Sequence, residues 1–347
     1  KELIRKNYKD MIKDNIKNIN FKKNATGGSS GDPLIYLLDN KSWSFSTANY
    51  IYNWEKTKDY KLGKKYIALG STSLYVDDKK SLKHQIYYKL RNRLGLNGIN
   101  MSCEICDRYI AIIKKQRIEY LYGYASAIYV LSKYANQNSI KLNIKACFTT
   151  SEILTQEYRE SMIKAFNCKV VDCYGASDGG LTAFEHDEGF FQVSYNSIIN
   201  QSNIDSKGIG SILVTDVLNY AMPFINYELG DQVQILNNDN YLYNGQVINQ
   251  VLGRVSDIIE FENGTIITGP GFTILFKDLP VEYYQIEKVG VNSIKCSIKK
   301  LSNYKKEHED IVKSSFKKQL GPEIKFILEY TNEIKMTKNG KIQYFKS

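Results

Sequence analysis

Residues 144–180 read IKACFTTSEILTQEYRESMIKAFNCKVVDCYGASDGG, and the succession of textures in them sets the architecture. Residues 144–148 are a short apolar run of strand length. Ser151 then precedes a segment with apolar residues at helical spacing, so it is expected to cap a helix ending near Phe166. Residues 169–173 are a second apolar run. They lead into the loop Tyr174-Gly-Ala-Ser-Asp-Gly-Gly180. Strand, helix, strand and glycine-bearing loop form the unit of a parallel sheet, because a crossover helix is what returns the chain to the starting end.

The same alternation continues towards the N-terminus. Residues 65–70 read as a buried strand, and 104–117 as an amphipathic helix carrying Ile105, Tyr109, Ile112 and Ile113. Residues 118–122 follow as a strand, and 125–131 as a helix. Past residue 190 the texture changes to short alternating strands (190–195, 210–215, 223–227 and 232–236) separated by Asn, Asp and Gly. That pattern predicts antiparallel hairpins or a small barrel. After Gly253 the chain predicts strand pairs around 258–267 and 294–299, a helix over 306–319 and a strand near 324–330. The expected fold class is therefore α/β. A large N-terminal domain (1–253) combines a mostly parallel sheet with an antiparallel, barrel-like subdomain, and a small mobile α+β domain (254–347) acts as a lid.

The 47 Lys and Arg exceed the 37 Asp and Glu, for a net charge of +10. The lysines are scattered rather than gathered into a patch, so the excess fits a polyanionic small ligand better than nucleic acid. No apolar run approaches the roughly 18 residues of a membrane span. The opening KELIRKNYKD lacks the apolar stretch of a signal peptide, and a cytoplasmic protein is expected. Cys103 and Cys106 have knuckle spacing without a second close pair. The six cysteines thus read as reduced thiols, and three histidines are too few and too dispersed for a visible metal cluster.

Four short segments carry chemistry. Thr26-Gly27-Gly28-Ser29-Ser30-Gly31 reads either as a flexible linker or as a nest of converging N–H groups that binds oxyanions. It is not a G-x-x-x-x-G-K-[ST] loop, because no Lys follows. Residues 174–180 lie at a strand's carboxyl end, where open α/β sheets bind ligands. Tyr227-Glu-Leu-Gly-Asp231, followed by Gly253-Arg254-Val-Ser-Asp257, offers a carboxylate for a ribose and a nearby cation, or simply a hairpin with a salt bridge. Asn339-Gly-Lys341 presents a lysine on a turn.

In this order the segments resemble the adenylate-forming enzymes of the acyl-CoA synthetase superfamily, and within it the phenylacetate–coenzyme A ligases and the related capsular polysaccharide biosynthesis proteins. The stretches 121–127 (LYGYASA), 149–154 (TTSEIL) and 320–326 (LGPEIKF) extend the resemblance over nearly the whole chain. It implies ATP-dependent activation of a small carboxylic acid to an acyl-adenylate, then transfer to coenzyme A or a carrier-bound phosphopantetheine. An acyl carrier protein or a glycan acceptor is a possible partner, in surface-polysaccharide or secondary-metabolite synthesis. An amide- or ester-forming ligase and a silent nucleotide-binding relative are the alternatives.

The resemblance also implies roles. Thr26, Gly27, Gly28, Ser29, Ser30 and Gly31 grip the β- and γ-phosphates. Tyr174 stacks on adenine, with Gly175, Ala176, Ser151 and Glu152 around the nucleotide. Ser177 meets the α-phosphate, and Asp178 stands where the family has a Glu that helps to hold Mg2+. Asp231 takes the ribose hydroxyls and Arg254 lies against the same nucleotide. Asp257 is the hinge, and Lys341 bridges the joining carboxylate and phosphoryl group. Tyr122, Tyr124, Gly179 and Gly180 line an acyl pocket for a small or flat acid. The chain departs from the pattern at Asp178, at Thr150-Ser151-Glu152 in place of a glycine-rich motif, and after Pro33, where no Lys follows.

Overall fold

Strands buried on both faces need helices above and below, and the central strands here (Tyr66–Gly70, Tyr120–Tyr124 and Ala146–Thr150) are buried at nearly every position. A computed structural model describes residues 1–26, 34–57, 60–70, 82–98, 101–186, 189–236, 246–252, 258–261, 266–268, 275–276, 279–321, 323–332 and 345–346. The N-terminal part contains α1 (Glu2–Lys6), β1 (Phe21–Ala25), β2 (Ile35–Asp39), α2 (Asn40–Lys56), β3 (Tyr66–Gly70), α3 (Leu82–Leu90) and β4 (Arg93–Asn97). Then come α4 (Cys103–Gln116), β5 (Tyr120–Tyr124), α5 (Ala125–Gln137), β6 (Ala146–Thr150), α6 (Gln156–Phe166) and β7 (Lys169–Ala176). The chain continues through β8 (Leu181–Glu185), β9 (Phe191–Val193), β10 (Ser197–Ser202), β11 (Ile209–Asp216), β12 (Tyr227–Leu236) and β13 (Val247–Val251).

These strands form one 11-stranded sheet in the order β10-β11-β12-β13-β9-β8-β7-β6-β5-β3-β4. From β4 to β7 every pairing is parallel. β7 is the seam, since it runs antiparallel to β8 and every pairing beyond it is antiparallel. The antiparallel strands expected from the sequence are thus the second half of the same sheet.

β3 and β6 are buried at every position, as parallel strands covered on both faces must be. One face packs on α4 and α5 through Ile110, Ile113, Ile128 and Leu131. The other packs on α2, whose Trp54 stacks on Phe148 with ring centroids 4.6 Å apart. The antiparallel half has its own core, shared with Leu34, Tyr36, Leu37 and Leu38 around the β1–β2 hairpin.

Three local expectations shift. The cap of α6 is Thr155, whose hydroxyl accepts the N–H of Tyr158 at 3.2 Å. Ser151 instead takes a left-handed backbone, φ +70°, in the turn before it, so the helix starts later than periodicity alone implied. β5 starts at Tyr120 because Ile118 N–H is still bonded to Ile113 O at 3.0 Å, closing α4 behind the left-handed Arg117. Residues 223–226 are not a strand. Asn226 is left-handed there, and β12 begins at Tyr227.

The C-terminal residues build the hairpin β14 (Ile258–Glu260) and β15 (Ile266–Thr268). Beyond it lie β16 (Val281–Gly290), β17 (Ser293–Lys300), α7 (Lys306–Leu320), β18 (Lys325–Tyr330) and β19 (Phe345–Lys346). The last four strands form a second sheet ordered β18-β17-β16-β19. α7 lies on it with Phe316 stacked on Phe326 at 4.1 Å, which gives a small α+β unit. Among the described residues no helix is long and apolar enough to cross a membrane.

Candidate active site

The carboxyl end of β7 delivers Tyr174 and the loop to Gly180, at the point where the sheet changes from parallel to antiparallel. Tyr174 Oη donates to Asp231 Oδ2 at 2.9 Å. In return, Tyr227 Oη donates to Asp178 Oδ2 at 2.8 Å. Each segment has the spacing Tyr-x-x-x-Asp, and each tyrosine bonds the aspartate of the other segment. Three strands, β8, β9 and β13, lie between β7 and β12 in the sheet. At ordinary strand spacing a flat sheet would hold β7 and β12 about 19 Å apart. The pairing therefore requires the antiparallel half to curl over. Burial, and then the Asp178 carboxylate, push the Tyr227 phenol well above its usual range. The Lys1 ammonium also lies 4.0 Å from Asp178 Oδ2.

The residues flanking the glycine-rich segment, Thr26 and Leu34, lie in the same core. Thr26 N–H donates to Leu34 O, and Leu34 N–H to Thr26 Oγ1, both at 3.0 Å. Leu34 and Tyr36 belong to the cluster containing Leu181, Tyr227 and Leu229, with Tyr174 and Ala176 packed against it. Gly27, Gly28, Ser29, Ser30 and Gly31 themselves lie outside the described residues, as do Arg254, Asp257 and Lys341.

Two glycines of the loop are required by close approach. A Cβ on Gly175 would stand 2.8 Å from Leu181 O and 3.3 Å from Tyr50 Oη. Gly180 has φ +66°, and a Cβ there would overlap the Asp216 carboxylate. Its carbonyl accepts from Asn196 Nδ2 and Ser197 Oγ. Gly179 faces Val214 and Leu229. Of the two tyrosines expected to line an acyl pocket, Tyr122 packs beside Tyr50 with ring centroids 6.0 Å apart. Tyr124 is buried in the α4–α5 core instead. The two are not brought together. Tyr50, on α2, was invisible to motif reading because nothing local marks it.

On the far side of β7, Ser151 is exposed while Glu152 is buried. Glu152 Oε2 accepts the N–H of Ser126 at 2.8 Å, and Oε1 is buried without a hydrogen-bond partner. Burial pushes its carboxyl up to about 7. Asp172, under Thr149 Oγ1 at 2.7 Å, is likewise pushed up to about 7, first by burial. Glu185 accepts from Asp172 N–H at 3.0 Å and pairs with Arg159 at 2.6 Å. Among the described residues no three His, Cys, Asp or Glu side chains gather as a metal site. A separate cavity of about 440 Å³ opens by Lys13, Asn20, Asp39, Lys41 and Tyr220. It lies at the open end of the β1–β2 hairpin and contains none of the motif residues.

Residues 259–347 match the CapK C-terminal domain family. Protein CapK of Staphylococcus aureus is 27% identical over 350 residues, covering 97% of this chain and 78% of that protein. A 2-hydroxyisobutyryl-CoA ligase, solved with 2-HIB-AMP and CoA in the thioesterification state, superposes with a TM-score of 0.56 at 14% identity, over 96% of this chain and 74% of that one. The chain is thus similar to CapK and has the fold of the adenylate-forming ligases. An o-succinylbenzoate CoA synthetase from Bacillus subtilis shows the same fold at a TM-score of 0.50 and 12% identity, over 93% of this chain and 68% of that one. Tyr227, quoted in its sequence motif without a task, is the residue that holds Asp178. The signal was there, in the repeated Tyr-x-x-x-Asp spacing.

Proposed function

We propose that the chain is an AMP-forming ligase that joins a small carboxylic acid to ATP as an acyl-adenylate, releases pyrophosphate, and passes the acyl group to coenzyme A or a carrier thiol. The observation that carries this reading is the reciprocal pairing of Tyr174 with Asp231 and of Tyr227 with Asp178. It joins two of the motif loops at the carboxyl end of β7, and open α/β sheets bind ligands outside the carboxyl ends of their strands.

In this reading the Tyr174 ring gives adenine a stacking face, and Asp231 receives the ribose hydroxyls. Ser177 faces the α-phosphate, and the turn from Thr26 to Gly31 receives the outer phosphates. The substrate carboxylate needs no general base, because it is ionised at neutral pH. Lys341, from a lid spanning 254–347, places its ammonium between carboxylate and phosphoryl group as their charge redistributes. Removing such a group costs on the order of 100- to 1000-fold in rate. Mg2+ fits as a partner of phosphates plus one carboxylate. Asp178 would hold it with the oxygen that Tyr227 does not take, and the ion would neutralise phosphate charge. We extend the proposal to an acyl carrier protein or glycan acceptor in surface-polysaccharide or secondary-metabolite synthesis.

The test is acid-dependent exchange of pyrophosphate into ATP across a panel of small acids, with Lys341→Ala as control. Exchange with at least one acid, reduced about 100-fold or more in the variant, is expected. Folded protein with no acid-stimulated exchange overturns the reading.

A further inference from the structure

We infer that the cavity at the open end of the β1–β2 hairpin is a second binding site, one that takes an anionic sugar. Its volume of about 440 Å³ falls within the roughly 300–1,000 Å³ of small-ligand pockets. Hydrogen bonds tie its walls together. Asn40 N–H donates to Asn20 O at 2.8 Å, and Lys13 N–H to Ala221 O at 3.4 Å. Asp39 N–H donates to Asn219 Oδ1 at 2.9 Å. The walls therefore stand before any ligand arrives. The inference does not rest on the nucleotide reading. β1 has this cavity at one end and Thr26 at the other, and its five residues span about 17 Å.

The lining selects the ligand class. Asp39, only 4% exposed, borders the cavity. Its Oδ1 accepts the N–H of Lys41 at 2.8 Å, and among the described residues nothing donates to Oδ2. A buried carboxylate with an oxygen left over takes a donor from outside the chain. Lys13 and Lys41 line the same cavity, and among the described residues neither is in an ion pair. A bare anion would suit the ammoniums but meet the carboxylate, and a metal ion would meet the reverse. A sugar with one acidic group suits both, because it carries hydroxyl donors and a negative charge on separate atoms. Two further features favour it over an amino acid, which also carries a donor and an anion. Asn18, Asn20 and Asn40 offer three amides with no side-chain hydrogen bond among the described residues, and an amide both donates and accepts, as a sugar hydroxyl does. Tyr220, 52% exposed, presents an amphipathic ring to the apolar face of a pyranose.

The experiment is calorimetric titration of glucuronate, glucose 6-phosphate, glucose, inorganic phosphate and alanine into the wild-type chain, the double variant Lys13→Gln, Lys41→Gln, and Tyr220→Ala. Each protein is checked by circular dichroism for native fold. At least one of the two anionic sugars should bind, about tenfold or more tightly than glucose, and the one that does identifies the acidic group as carboxylate or phosphate. The double lysine variant should lose about tenfold in affinity for it, the worth of one charge-assisted hydrogen bond, and its binding should no longer weaken with salt. Tyr220→Ala should weaken binding and keep the salt dependence. No binding of either anionic sugar to the wild-type chain overturns the inference. Phosphate or alanine binding as tightly as the sugar marks a plain anion or zwitterion site and overturns it too. So does an affinity unchanged in either variant, which places the sugar elsewhere.

Discussion

The backbone N–H of Ser126, in the first turn of α5, is held by the carboxylate of Glu152 at 2.8 Å. The residue before the helix, Tyr124, provides no side-chain cap, so the loop leaving β6 supplies one from a distance. The carboxylate also complements the positive end of the helix.

The burial of Glu152 makes stability depend on pH. Its carboxyl moves from an ordinary 4.5 up to about 7, and that of Asp172 from 3.8 up to about 7. A carboxyl raised by folding favours the folded state while it is protonated. The stabilisation is full below the unfolded value and is lost as pH rises through the folded one. Unfolding free energy should therefore fall between pH 5 and pH 8, by on the order of 3 kcal/mol for Glu152. Glu152→Gln keeps an acceptor for Ser126 and should flatten that share of the slope. Urea unfolding at pH 5, 6.5 and 8 measures it; identical slopes in variant and wild type would contradict the assignment.

Gly180→Ala should be destabilising well beyond the effect of backbone conformation. Its Cβ would overlap an Asp216 carboxylate anchored by Ser42 Oγ at 2.7 Å and Leu218 N–H at 2.9 Å. Gly63, at φ +90° with nothing within 4 Å of a built Cβ, isolates the backbone penalty. Gly180→Ala is expected to cost about 1–3 kcal/mol more than Gly63→Ala. Equal losses in thermal melts would show that Asp216 simply moves aside.

Ser151→Gly should raise the melting temperature slightly. At φ +70° a non-glycine residue carries strain of about 1 kcal/mol, which glycine relieves at some entropic cost to the folded state. Ser151→Val should lower stability, since a branched Cβ tolerates this conformation least. The order Gly, Ser, Val in melting temperature is the expected result, and Val matching Ser would refute it.

The ion pair of Arg159 and Glu185, with side chains 24% and 14% exposed, makes a further test. Arg159→Met leaves Glu185 facing Asp172 without its cation and should cost about 3 kcal/mol. The double variant with Glu185→Gln should recover part of that loss. An additive double variant would show that the pair is uncoupled.

Legibility varied with the range of the interaction. The run from β6 to β7 was readable because its alternation of apolar strand and amphipathic helix is contained in a few dozen residues. α2 was not, since NKSWSFSTANYIYNWEK buries only Ser42 and Trp54 fully and shows no sustained apolar stripe. The cap of α6 was misplaced because Ser151 and Thr155 are both good capping residues, and only the left-handed turn at Ser151 selects between them. Tyr227 stood in view within its motif, but its partner Asp178 is 49 residues away.

What the sequence determined by itself was the alternation of elements, the change of texture near residue 190 and the chemistry present at each motif. Periodicity, capping and turn residues act within a few turns of chain, so any window contains them. What only the tertiary structure decided was the curl that sets Tyr174 against Asp231 across three intervening strands. Curvature accumulates from the twist at every strand pairing and from the packing beneath it, and no single stretch of residues encodes that sum.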